Sequence, residues 1–439
     1  MQKKLHLVSL GCTKNLIDSE VMLGRLQDYE IVGESAEADV IIVNTCGFID
    51  AAKEESIQTI LNLHETRKED SLLVMSGCLS ERYKEQLQAD LKEVDIFTGV
   101  GDYDKIDELI QERKSRFTPK SYLIGNEERI ITGSTHHAYI KLSEGCNQKC
   151  SFCAIPQFKG KLQSRELAAV VTEVKGLVAK GFYDFSFISQ DSSSYLRDFE
   201  VQDGLGYLID AIEEIEGVES ARILYLYPST LSLEVLGKIL LSKTFHNYFD
   251  MPIQHITDNM LRIMKRGAGE ERVRAQLNFM RKAPDSFVRT SIIVGHPGES
   301  DEEFDALCDF MREFDFDRTT IFSYSDEEGT KAVTMDALKI DKETIAKRIE
   351  ILNAIVEEKT QKSLGKEIGQ EVEIIAIGES SEHEFFIGAR KISWAEDIDG
   401  EILINENESG EEVVFGKRYI AKISECVGEN LIGTILRPA

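Results

Sequence analysis

Long apolar runs are absent from this chain. No stretch of its 439 residues approaches the ~18–20 consecutive apolar residues that a membrane span needs. Proline is scarce at 7 and cysteine modest at 8. With 42% apolar and 29% charged residues, that excludes collagen-like, disulfide-scaffold and wholly disordered classes. Basic residues are in deficit: 51 Lys+Arg face 78 Asp+Glu, a net charge of −27. Phosphate tracks are bound by Lys and Arg, so nucleic acid is disfavoured as the main partner. The acidity suits a basic protein partner, or serves solubility alone. The opening MQKKLHLVSLGC places two lysines before an apolar run, as a signal peptide would. That run is short and broken by His6, so it reads as a first strand, and the cytoplasm is the expected compartment.

The length implies two to four domains. From residue 4 to about 113, apolar runs Leu5–Leu10, Val40–Val43, Leu72–Met75 and Val94–Phe97 alternate with helical periods over Asp18–Leu26, Ala51–Leu63, Ser80–Ala89 and Asp104–Glu112. This α/β alternation predicts a doubly wound parallel sheet in residues 1–135. Residues 114–135 are polar and read as a linker. A second series begins at Ala138–Leu142, with strands at Tyr183–Ser189, Arg222–Tyr227, Tyr248–Pro252, Val288–Val294 and Arg318–Tyr324. Helices fall between them at Glu166–Ala179, Leu205–Ile215, Leu231–Leu241, Glu270–Arg281 and Ser300–Glu313. Six strand–helix units are too few for a full barrel, so a partial (βα)6 barrel is expected over 136–365. A charged helix over 341–364 leads to glycine-punctuated short strands over 366–439, read as a small antiparallel β-barrel.

The sharpest local signal is Cys146-Asn-Gln-Lys-Cys150-Ser-Phe-Cys153. Buried structural cysteines carry no such spacing. Zinc normally takes four ligands, and no fourth cysteine is near, though His136 and His137 lie upstream. Three thiolates on a four-iron cluster leave one iron open for chemistry. Cys12, Cys46 and Cys78 form a second set. They are far apart in sequence, but each follows a strand of the first sheet, at the edge where such sheets bind ligands. They could converge on one ion or cluster, or merely fill tight turns beside Gly11, Gly47 and Gly77.

The Cys146–Cys153 spacing resembles the signature of the radical S-adenosylmethionine superfamily, and the partial barrel agrees with it. Ser9-Leu-Gly-Cys-Thr-Lys-Asn-Leu-Ile-Asp-Ser-Glu20, Asn44-Thr-Cys-Gly-Phe48 and Ser76-Gly-Cys78 resemble the N-terminal domain of the methylthiotransferases. The terminal module is similar to that family's TRAM domain. The resemblance implies two 4Fe-4S clusters, one on Cys12, Cys46 and Cys78 and one on Cys146, Cys150 and Cys153, with S-adenosyl-L-methionine on the second. It further implies insertion of sulfur and a methyl group through a 5′-deoxyadenosyl radical. Glu144–Arg165 and Phe249–Gly267 look like the RimO-like branch, whose substrate is an aspartate β-carbon of small-subunit ribosomal protein twelve. The tRNA-adenosine branch differs in the residue pair after the first Gly-Cys and at Pro252-Ile-Gln-His255. Thr13 departs from an expected proline.

Charge is an independent check. Residues 371–439 hold 15 Asp+Glu against 6 Lys+Arg, whereas 1–135 hold 25 against 16 over almost twice the length. An RNA-binding barrel should be basic; an acidic one suits a ribosomal protein, free or on the ribosome. Methylthiolation of tRNA and a non-catalytic iron–sulfur ribosome-binding protein are the alternatives. By analogy with the superfamily, Gln190, Asp191, Arg165 and Gly295 are expected at S-adenosylmethionine; a helix cap, an ion pair or a plain turn would also explain them. His255 reads as near the substrate or as core, Cys308 as core, and Cys426 as part of a polar turn. A flavodoxin- or ferredoxin-type electron donor is expected, and no membrane.

Overall fold

A computed structural model describes residues 2–125 and 128–439. Strands β1 (Lys4–Ser9), β2 (Glu30–Ile31), β3 (Val40–Thr45), β4 (Leu72–Gly77) and β5 (Ile96–Phe97) form one parallel sheet in the order β2-β1-β3-β4-β5. This is a doubly wound order whose switch point, where ligands bind, lies between β1 and β3. Val40–Val43 and Leu73–Met75 are fully or almost fully buried, as strands covered on both faces must be. Helices α1 (Thr13–Arg25), α2 (Asp50–Thr66) and α3 (Cys78–Arg82) follow β1, β3 and β4.

The expected linker is not slack. The Ile130 N–H donates to the Glu20 carbonyl at 3.1 Å and the Thr132 N–H to Glu20 Oε1 at 2.9 Å. Buried Arg129 joins Glu20 to Glu173 and to the Tyr139 carbonyl. Residues 129–132 strap the chain across α1.

The second sheet begins at β6 (His137–Lys141). A two-stranded hairpin, β7 (Ser143–Glu144) with β8 (Gln163–Ser164), follows. β9 (Asp184–Ile188), β10 (Ser220–Ile223), β11 (Phe245–Asp250), β12 (Phe287–Val294) and β13 (Arg318–Ser323) complete six parallel strands in the order β13-β12-β11-β10-β9-β6. β6 and β13 do not pair, so the barrel is open as expected. The helix over Asp258–Ile263 was not expected; its six residues are too few for a helical period to stand out.

β14 (Glu371–Glu379), β15 (Ile387–Lys391), β16 (Ile402–Asn407), β17 (Arg418–Val427) and β18 (Asn430–Pro438) close into a barrel. It departs from the antiparallel expectation at one seam, where β16 and β18 pair in parallel. Cys426 lies on β17 rather than in a turn. One apolar core runs through all three units: Ile17 and Val74, then Tyr139 and Tyr248 on the concave side of the open barrel, then Trp394 and Ile402. Cys308 belongs to the core between the central sheet and its helices, as expected.

Candidate active site between two cysteine triads

The first triad is assembled by the order of the sheet. β1, β3 and β4 are neighbours, and their register sets Ser9 opposite Asn44 and Thr45 opposite Gly77. The residues just beyond therefore share one edge. Cys12 caps α1, Cys46 follows Thr45, and Cys78 opens α3. Gly11 has φ +89°, and a Cβ there would lie 2.6 Å from Cys46 Cβ and 2.9 Å from its Sγ. Only glycine lets these two turns approach so closely. The position after Cys46 is equally tight: a Cβ on Gly47 would lie 3.0 Å from the Cys78 carbonyl carbon.

Two asparagines of the quoted motifs, given no role by sequence reasoning, hold this edge together. Asn15 Nδ2 donates to the Leu10 and Thr45 carbonyls, each at 3.1 Å, and its Oδ1 lies 3.6 Å from Cys78 Sγ. Asn44 Nδ2 donates to the Asn15 carbonyl at 2.8 Å and to Ser19 Oγ at 3.0 Å. The Cys46 N–H donates to Ser56 Oγ at 3.1 Å.

The second triad lies in the loop after the hairpin strand β7, above β6. The Gln148 N–H donates to Cys146 Sγ at 3.4 Å. Cys150 Sγ is 3.2 Å from the Tyr227 hydroxyl and accepts from Arg266 Nη1 at 3.2 Å. Arg266 stacks on the Tyr227 ring, 4.1 Å from its centroid. Ser151 Oγ meets His296 Nε2 at 2.8 Å. Tyr227 and Arg266 were missed as site residues because nothing local marks them; both fall inside segments read for other reasons.

Burial pushes the Cys46 thiol up to about 11, the Cys146 and Cys153 thiols up to about 12, and Cys78 higher still. Thiols so placed ionise when a metal takes the proton's place. Among the described residues, no three His, Cys, Asp or Glu side chains are placed to hold a metal ion. A four-iron cluster asks for something wider, one thiolate to each of several irons. Three thiols, a guanidinium, a phenol and a backbone N–H aimed at sulfur fit such a body, because donors to sulfur stabilise its thiolates.

The residues expected at S-adenosylmethionine divide. Gln190 Nε2 donates to Glu144, while its Oε1 is buried with no partner. Asp191 accepts from Gln148 Nε2 at 2.8 Å and from Ser194, so it anchors the triad loop. Arg165 is committed elsewhere: Nη1 donates to the Lys141 carbonyl at 2.9 Å and to Glu173 at 2.5 Å, and Nη2 to the Gly125 carbonyl. Gly295, with φ +84°, leaves room for Ile345, whose Cγ1 would lie 2.5 Å from an added Cβ. His255 is fully buried, 3.6 Å from Glu299, and sits in the core.

A buried polar cluster joins the two triads' supports. Lys141 meets Asp18 and Glu144, and Lys159 meets the same two carboxylates, each at 3.3 Å. Two cations balance two anions, with all four side chains at most 4% exposed.

Residues 4–99 match the uncharacterized protein family UPF0004, and 140–311 match the radical SAM superfamily. In solved structures, the radical S-adenosylmethionine methyltransferase TsrM from Kitasatospora setae shares the fold. Its TM-score is 0.52 at 15% identity, over 74% of this chain and 72% of that one. The ribosomal protein uS12 methylthiotransferase RimO of Sulfurimonas denitrificans is 62% identical, over 99% of each chain. That of Aliarcobacter butzleri is 59% identical, over 99% of this chain and 98% of its own. That of Campylobacter jejuni strain RM1221 is 55% identical, over 99% and 98%. Identity of this depth over nearly the whole length of both chains places this one in the RimO family of radical S-adenosylmethionine methylthiotransferases.

Proposed function

We propose that this enzyme methylthiolates ribosomal protein uS12 at the β-carbon of an aspartate. The observation that carries the reading is one short segment, Tyr225-Leu226-Tyr227, that touches both triads' surroundings. Tyr225 packs under Lys14, two residues from Cys12, and Tyr227 meets Cys150. A substrate carbon bound at this segment would lie between the residues that would hold the sulfur-carrying cluster and those that would hold the radical-generating one. We assign one cluster to Cys12, Cys46 and Cys78 and the other to Cys146, Cys150 and Cys153, with Gln190 facing S-adenosylmethionine. The second cluster, held by Cys146, Cys150 and Cys153, would supply the electron for radical chemistry with S-adenosylmethionine, the chemistry required at a carbon whose hydrogen no side-chain base could remove as a proton.

The chain's own residues do the positioning. Arg266 and Tyr227 steady the Cys150 thiolate, Asp191 holds Gln148, and the Lys141–Asp18–Lys159–Glu144 cluster locks α1 onto the central sheet. The acidic barrel supports a basic protein partner: Glu379, Glu382, Glu384, Glu406, Glu408, Glu411 and Glu412 are all exposed. No described helix is long and apolar enough to cross a membrane. We place the reaction in the cytoplasm, on uS12 free or ribosome-bound, with a flavodoxin- or ferredoxin-type protein as electron donor. The test is anaerobic reconstitution followed by mass spectrometry of uS12 and tRNA offered together. Methylthiolated uS12 is expected; modified tRNA with untouched uS12 would overturn the substrate and leave the radical chemistry standing.

A further inference from the structure

Lys14, Lys141 and Lys159 lie at the junction of the first sheet and the open barrel; the last two are neutralised by carboxylates and Lys14 is not. Lys141 and Lys159 each hold Asp18 and Glu144. Lys14 sits on an aromatic ring: its Nζ lies 3.3 Å from the centroid of the Tyr225 ring, and among the described residues no carboxylate stands within ion-pair distance of it. Asp250 is the acid nearest in kind, but its Oδ2 accepts the Tyr225 N–H at 3.0 Å and its Oδ1 faces Arg289. Lys14 is half-buried, so it is neither freely solvated nor sealed in.

Its platform is held in place. Tyr225 has φ +60°, in the left-handed region that a bulky residue rarely occupies. The surroundings impose it: Asp250 takes its N–H, and its carbonyl accepts the Ser192 N–H at 3.0 Å. Strain of this kind persists where the surroundings over-determine the backbone, and it gathers at functional sites. The Tyr225 ring is thereby set two residues from Tyr227 and beside the residue pair that follows Cys12.

We infer that Lys14, seated on Tyr225 between the two cysteine triads, receives the side-chain carboxylate of the target aspartate and so sets the choice of an acidic side chain over a base of RNA. The inference rests on the function proposed above. A half-buried cation that no carboxylate of the chain pairs with can take an incoming carboxylate in a charge-assisted hydrogen bond, in surroundings already partly cleared of water. The aromatic face holds the ammonium in position without neutralising it. S-adenosylmethionine also carries a carboxylate, and the test separates the two sources.

The experiment uses the reconstituted enzyme, a uS12 peptide carrying the target aspartate, and the same peptide with asparagine. In the unaltered enzyme, acetylation of Lys14 by an active ester is followed by mass spectrometry. The aspartate peptide should slow it, while the asparagine peptide and S-adenosylmethionine alone should not. Lys14→Met should lower affinity for the aspartate peptide by about 10- to 100-fold, to the level of the asparagine peptide, as for a lost charge-assisted contact. Lys14→Arg should retain most of the preference. Equal protection by both peptides, protection by S-adenosylmethionine alone, or an undiminished aspartate preference in Lys14→Met would each overturn the inference. The protection arm decides even if Lys14→Met fails to fold. Failure of the unaltered enzyme to modify uS12 would instead sink the functional reading.

Discussion

Asp184→Asn should loosen the C-terminal barrel from the central sheet. Asp184 opens β9 and is wholly buried. Arg222 forks onto it, Nη2 to Oδ1 at 2.8 Å and Nη1 to Oδ2 at 3.3 Å, and Arg390 of the C-terminal barrel donates to the same carboxylate. Arg390 also holds Glu396, through Nε at 3.1 Å and Nη2 at 3.0 Å. Two guanidiniums and two carboxylates cancel. The asparagine removes one negative charge, leaves the shape, and strands a net positive charge in the interior. Breaking a buried pair in this way costs about 3–5 kcal/mol, which corresponds to a fall in apparent Tm on the order of 10 °C. The single tryptophan is a local reporter, since Trp394 is buried and its carbonyl accepts from Arg390 Nη1 at 3.1 Å. Anaerobic thermal melts followed by tryptophan emission should show the loss at this interface. Adding Arg390→Met to Asp184→Asn removes the surplus charge and should recover about 1–3 kcal/mol as a coupling in the double-mutant cycle. A Tm within about 2 °C of the unaltered enzyme, or strictly additive substitutions, would refute the reasoning.

Further expectations follow from the same contacts. Burial lowers the His137 pKa to about 4, and His246 likewise to about 4. The unfolded chain protonates these near 6.5, so folding stability should fall as pH drops from about 6.5 towards 4. Burial alone would raise the Asp184 pKa, but Arg222 and Arg390 outweigh it and hold it far below the usual range, so its contribution is lost only in stronger acid. Melts between pH 7.5 and 4.5 check this, and a flat profile would contradict it. Replacing Cys146, Cys150 and Cys153 by alanine should halve the ~8 irons per reconstituted chain and abolish 5′-deoxyadenosine formation. Replacing Cys12, Cys46 and Cys78 should halve the iron too, yet leave S-adenosylmethionine cleavage without sulfur insertion; iron assay and chromatography distinguish the two. Glu327, 2% exposed, takes Arg82 at 2.6 Å and Lys53 at 3.0 Å. Glu327→Gln should cost about 1–3 kcal/mol and speed proteolysis between the first sheet and the open barrel.

These contacts also change what removal of residues 371–439 would measure. The acidic charge of the terminal module suggested a docking surface that could be cut away. But Arg390, Glu396 and Trp394 are buried against the central sheet, and Tyr139 donates to the Glu396 carbonyl at 2.5 Å. Deletion would take from Arg222 the Ile392 carbonyl that its Nη2 donates to at 2.7 Å, and expose the open barrel. Reversing charge at exposed Glu406, Glu408 and Glu411 is the cleaner probe of recognition.

By itself the sequence determined whatever a short stretch of chain can encode. Cys146, Cys150 and Cys153 share one loop, so their spacing alone marked them as a candidate three-thiolate site. The alternation of apolar runs and helical periods located the long strands and helices of both parallel sheets. It missed the two residues of β2 and the helix Asp258–Ile263, which are too short for a period to show. Cys12, Cys46 and Cys78 could be placed at strand ends, but their convergence required the strand order that sets β1, β3 and β4 side by side. The tertiary structure alone decided which charges meet. Arg390 and Asp184 are 206 residues apart, and Lys14 and Tyr225 lie on separate units. An isolated arginine or lysine in a sequence looks the same whether it ends in water, on a carboxylate or on an aromatic ring. Its role is set by the neighbours that folding supplies, and by the solvent that folding takes away.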